Sequence, residues 1–164
     1  AAAGAPPAGP FAGGAGQPGR APDISSLTPE ERASRLFDRI VRYDEEGKRD
    51  SVQFFAPMAL AVYQGIPNPT TDQRYDLGRI GEVTGDYRLA KAQADTILRD
   101  NPTHLLALSL AARMTIDPKA RLEIERRLLA AEAGERAKRL PEYEGHAADL
   151  ARAIADAKKT VGGA

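Results

Sequence analysis

Apolar residues recur at helical spacing along most of the chain, and clusters of Gly, Pro, Asn and Asp interrupt them. The first such segment opens at Thr28-Pro29-Glu30-Glu31. Thr28 can cap, Pro29 suits the first helical position, and Glu31 completes a capping box. Leu36, Phe37, Ile40, Val41 and Tyr43 follow, and Gly47 ends the segment. Asp50 is the expected cap of a second helix carrying Val52, Phe54, Phe55, Met58, Leu60, Ala61 and Val62. Pro57 should kink that helix or delay its start. The stretch Gly65-Ile66-Pro67-Asn68-Pro69 is a break.

Thr70 and Gln73 repeat the capping-box pattern ahead of a helix to Val83, with Tyr75, Leu77 and Ile80 inside it. Thr84-Gly85-Asp86 is a turn, and Asp86 caps the next helix through Leu89, Ala90, Ala94, Ile97 and Leu98 to Asn101-Pro102. A third pair runs from His104 to Met114 and, after Asp117-Pro118, through Leu122, Ile124, Leu128 and Leu129. Pro141 starts a last helix whose apolar seam is Tyr143, Ala147, Leu150, Ile154, Ala157 and Val161. No run alternates apolar and polar residues in the manner of a strand. The pattern predicts an all-α domain of about seven helices, paired by short turns into antiparallel hairpins, with a C-terminal capping helix.

The stretch from Tyr75 through Leu77-Gly78, Gly85-Asp86-Tyr87 and Ala90 to Asn101-Pro102 resembles one tetratricopeptide repeat, a helix–turn–helix unit. The resemblance implies a stack of such hairpins, with Gly78 and Ala90 facing each other where two helices cross and Tyr87 filling the gap between hairpins. Gly81 departs from the pattern, because an aromatic often stands there. The flanking hairpins match only weakly, and Pro57 is foreign to the repeat. The resemblance further implies a concave surface, lined by the first helix of each pair, that holds a protein partner. Its exposed positions would be Tyr75, Arg79 and Glu82 in one pair and Ser109 and Arg113 in the next.

Composition changes the picture at the N-terminus. Residues 1–22 are Ala, Gly and Pro apart from Phe11, Gln17 and Arg20, so residues 1–27 read as a tail or linker ahead of a helical domain at 28–164. Phe11 is the tail's only large apolar residue and its expected anchor on a partner. Such a spacer, in a chain that begins at Ala1, fits a segment left after signal cleavage, so export to the periplasmic or extracellular side is expected, with a cytoplasmic location left open.

Charge and chemistry narrow the function. There are 23 basic and 23 acidic side chains and no Cys. Thiol chemistry, disulfides and zinc–thiolate sites within this chain are thereby excluded. The charges between Arg121 and Arg139 are mixed in sign and predict a solvated helix face, not a nucleic-acid surface. No apolar run is long enough to span a membrane. Gly78-Arg79-Ile80-Gly81 lies in a helix and lacks the ending of a phosphate loop. His104, at a helix start, reads as a surface or cap residue. His146 could share one helical face with Glu142 and Asp149 as a weak metal or small-ligand site, although an ordinary salt-bridged face is the expectation. No catalytic residue, metal ligand or cofactor is assigned. The chain reads as a non-catalytic protein–protein interaction module, an accessory or scaffold subunit. Homo-oligomerisation through the last helix and weak ligand binding at His146 are the alternatives.

Overall fold

A computed structural model describes residues 25–164. Phe11 and its expected contact lie outside the described residues. Eight helices follow one another: α1 (Pro29–Glu45), α2 (Arg49–Gln64), α3 (Thr71–Thr84), α4 (Tyr87–Asp100), α5 (Leu105–Arg113), α6 (Pro118–Ala137), α7 (Pro141–Gly145) and α8 (Ala147–Gly162). The fold is all-α, with no strand among the described residues.

Local chemistry sets most of the helix starts. Thr28 Oγ1 accepts the Glu31 N–H at 3.2 Å while the Glu31 carboxylate accepts the Thr28 N–H at 2.9 Å. Thr70 and Gln73 repeat this at α3, and Asp86 and Asp117 accept from Leu89 and Ala120. The start of α2 differs from expectation. Gly47 turns the chain at φ 70°, Lys48 takes the cap position, and the helix resumes at Arg49, so Asp50 falls inside the first turn. Pro57 neither delays nor interrupts α2. It lies on the exposed side, where the Gln53 carbonyl that loses its N–H partner can turn to water.

The helices pack in sequence, α1 on α2, α3 on α4 and α5 on α6, with α2–α3 and α4–α5 contacts joining the pairs. Helix α3 also touches α1 and α5. The α3–α4 approach is closest at Gly81, not at Gly78. A Cβ on Gly81 would stand 2.8 Å from both the Ala90 nitrogen and the Asp86 oxygen, whereas one on Gly78 would stand 3.6 Å from the Ala90 oxygen. Gly81 lies one turn nearer Gly85, where the two helices converge, so the residue that breaks the repeat pattern is the one this crossing needs. Tyr87 is 61% exposed and fills no gap between hairpins, because it is the first residue of α4 and points off the turn.

Two apolar clusters form the core, and α3 serves both. Leu77, Ile80 and Val83 join Phe37, Ile40, Val52 and Tyr63, while Tyr75 joins Leu105, Leu106, Leu128, Leu150 and Ile154. The last helix is not continuous. The backbone breaks at His146 (φ −117°, ψ 34°), which separates α7 from α8 and adds a helix to the expected seven. The break also leaves Ala147 exposed, outside the seam that spacing assigns it. Leu150, Ile154 and Ala157 are buried in the chain's own core, against α5 and α6. Burial of Leu150 and Ile154 contributes about 1.5–3 kcal/mol each and holds α8 in place.

Candidate binding cleft

Positions 75, 79 and 82 share one face of α3, and 109 and 113 share one face of α5. These faces meet α8. Asp149 Oδ2 accepts from Tyr75 Oη and from Arg79 Nε, each at 3.1 Å. Arg79 also pairs with Glu82, whose other oxygen accepts from Arg113 Nε at 2.6 Å, and Arg113 bonds Ser109. The five positions expected on an open concave surface thus form one hydrogen-bonded network with Asp149.

Exposure is where the expectation fails. Tyr75 is fully buried, Ser109 is 2% exposed and Arg79 is 9% exposed. The cause is α8, which lies over this face with Asp149 turned into it. Burial pushes the Tyr75 hydroxyl pKa up, so the group stays protonated and donates to Asp149. Arg79, Glu82, Ser109 and Arg113 nevertheless line a cleft of about 360 Å³ between α3, α5, α6 and α8. Arg121, Glu125, Arg152 and Asp156 complete much of its polar wall.

Two atoms of these lining residues are shielded from solvent. Arg113 Nη2 and Glu125 Oε2 are buried without a hydrogen-bond partner. Glu125 is 3% exposed and its other oxygen pairs with Arg121 Nε at 3.0 Å. A buried donor and a buried acceptor left unpaired are uncommon and call for a polar companion such as water or a ligand group. Glu125 and the 2%-exposed Glu135 also correct the expectation of a fully solvated charge run, although Arg126, Arg127 and Arg136 are exposed. α6 turns those two glutamates inward.

The expected trio of Glu142, His146 and Asp149 is dispersed, because the break at His146 ends the helical register on which it depended. Glu142 Oε1 lies 3.0 Å from His104 Nε2. Asp149 serves Tyr75 and Arg79. His146 Nε2 instead meets Asp72 Oδ1 at 2.8 Å and Asp76 Oδ1 at 3.1 Å, both on α3. His104 does cap α5, accepting the Ala107 N–H at Nδ1, but it is buried and not on the surface. Glu135 gathers hydrogen bonds from Thr103, Tyr143, Asn101 and Lys138.

Sequence reasoning missed Asp72, Asp76, Glu125 and Glu135. Asp72 and Asp76 have i, i+4 spacing, which could have marked them as a pair on one helix face. Nothing local to Glu125 or Glu135 distinguishes them from exposed neighbours of the same type. Among known proteins, no family model matches the chain, and no curated protein or solved structure matches it either. No helix of the described residues is long and apolar enough to cross a membrane.

Proposed function

We propose that the chain is a non-catalytic protein-interaction module of tetratricopeptide-like hairpins, an accessory or scaffold subunit of an exported assembly. The single observation that carries this reading is the cleft itself, a polar recess lined by Arg79, Glu82, Arg113, Arg121, Glu125 and Arg152. Its wall mixes arginine and carboxylate in near balance, which suits a peptide offering both hydrogen-bond donors and acceptors. Neither histidine lines it, and Ser109 is engaged by Arg113, so the cleft supports recognition better than nucleophilic chemistry. The repeat-type residues between Tyr75 and Pro102 support the stacking assignment, and the Ala/Gly/Pro composition of residues 1–22 supports export.

Affinity capture from native membranes and soluble extract tests the reading. Full-length chain should retain a defined partner that is lost with Arg113→Glu or Glu125→Gln and kept with the exposed control Lys91→Ala. Capture of nothing, or of the same proteins by all variants, would count against the cleft as a recognition site.

A further inference from the structure

We propose that Asp72, Asp76 and His146 form a binding site for a zinc-class divalent cation that clasps the α7–α8 junction to α3. The inference is independent of the cleft and of the interaction reading.

Each of the three side chains offers one ligand atom, and those atoms lie within 4.8 Å of one another. Imidazole nitrogen and carboxylate oxygen bind zinc at about 2.0–2.2 Å, which places tetrahedral ligands about 3.3 Å apart. His146 Nε2 is already 2.8 Å from one oxygen and 3.1 Å from the other, close to that spacing, and half-exposed Asp72 is the side chain free to adjust the oxygen–oxygen separation.

A second observation comes from Asp76. Its side chain is 8% exposed, and Oδ1 faces His146 with no hydrogen bond of its own. The single Nε2 proton goes to Asp72 Oδ1, the nearer acceptor. The other Asp76 oxygen accepts from Tyr63 Oη at 2.8 Å, which fixes the carboxylate with Oδ1 turned towards the histidine. Supporting bonds of this kind orient metal ligands. The His146 ring is held edge-on by Phe37 and Tyr75, with centroids 5.7 and 4.7 Å away.

Charge points the same way. Two carboxylates and one imidazolium leave a net negative charge beside buried Asp76, whereas two carboxylates, a neutral imidazole and a dication sum to zero. Asp72 is half exposed, which gives a cation a path in and leaves room for a water as fourth ligand.

The test is calorimetric titration of untagged, chelator-treated full-length chain with Zn²⁺, run in two buffers of different ionisation enthalpy. Cobalt absorption reports coordination in parallel. One equivalent should bind near neutral pH with release of about one proton, because the cation displaces the one on His146. His146→Ala should abolish binding, and Asp72→Asn, which changes an exposed side chain and leaves the core untouched, should weaken it at least about tenfold. Circular dichroism confirms that each variant is folded, and Asp72→Asn decides the matter if His146→Ala is not. Absence of binding at micromolar Zn²⁺, or stoichiometry and affinity unchanged in folded variants, overturns the site.

Discussion

The two histidines flank one short helix and are held in opposite states. Burial pushes the His104 pKa down, against the pull of Glu142. Its Nδ1 accepts the Ala107 N–H, so Nε2 carries the proton and donates to Glu142; a neutral ring satisfies both contacts. At the other end of α7, burial again opposes charge on His146, but Asp72 and Asp76 outweigh it and raise the pKa to about 9. Contact with a carboxylate therefore does not by itself make a histidine cationic. The task of the second ring nitrogen and the number of facing carboxylates decide it. One end of α7 is a fixed structural joint, and the other is an ionic clasp.

The largest expected effect would break the joint. Glu135 accepts from Tyr143 at 2.7 Å, and Tyr143 Oη in turn accepts the Leu105 N–H at 3.0 Å. Burial would raise the Glu135 pKa, but hydrogen bonds from Lys138, Thr103, Tyr143 and Asn101 win and hold it at about 2. Glu135→Ala strands the buried Tyr143 hydroxyl, while Thr103 and Lys138 can turn to water, and should cost about 2–3 kcal/mol. Asp76→Asn, which keeps an acceptor for Tyr63 at the clasp, should cost about 1–2 kcal/mol. Urea unfolding midpoints compare the two, and equal losses would remove the distinction between joint and clasp. The low Glu135 pKa also fixes a sign: its contribution is present above the ordinary value of 4.5 and is lost as pH falls towards about 2.

The two histidines should also divide the pH profile between them. Both have ordinary values near 6.5. Below that value the unfolded chain takes up a proton that folded His104 resists, so stability falls with acid. Folded His146 keeps its proton up to about 9, so its contribution is complete below 6.5 and disappears as pH rises from 6.5 to about 9. The shift converts to about 3 kcal/mol. Half exposure of Asp72 reduces this to about 1–2 kcal/mol. Urea unfolding from mildly acidic to alkaline pH should show both slopes, and His146→Ala should erase the alkaline one alone. An alkaline slope that survives in the variant would assign it to another group.

How much of this was readable beforehand follows from what each feature depends on. The caps at Thr28, Thr70, Asp86 and Asp117 are local, and they stand where the sequence puts them. The pairing of helices followed from short turns. The repeat resemblance picks out Tyr75, Arg79, Glu82, Ser109 and Arg113 as first-helix positions but not the burial of Tyr75, Arg79 and Ser109, which depends on α8 lying across that face. The apolar spacing predicts a continuous final helix because it runs through His146 and carries no sign of the break. With that break the Glu142–His146–Asp149 trio dissolved, and each member found a partner distant in sequence. Asp72, Asp76 and Glu135 acquire their roles only through such tertiary contacts.

The smallest expected effect sharpens the comparison most. Asp72 is half exposed and its pair with His146 is open to solvent screening, so Asp72→Asn should lower stability by less than about 1 kcal/mol. Its side-chain oxygen can still accept from His146 Nε2, which preserves the contact while removing one negative charge. The His146 pKa should then fall well below 9 and leave Asp76 as the only carboxylate facing the ring, and the alkaline loss of stability should begin at correspondingly lower pH. An NMR titration of the His146 ring protons reads this directly, with His104 as an internal reference that the substitution should leave unmoved. If His146 titrates as before, Asp76 alone holds the proton, and the clasp is a buried one-to-one pair that differs from the His104–Glu142 joint only in what its second nitrogen does.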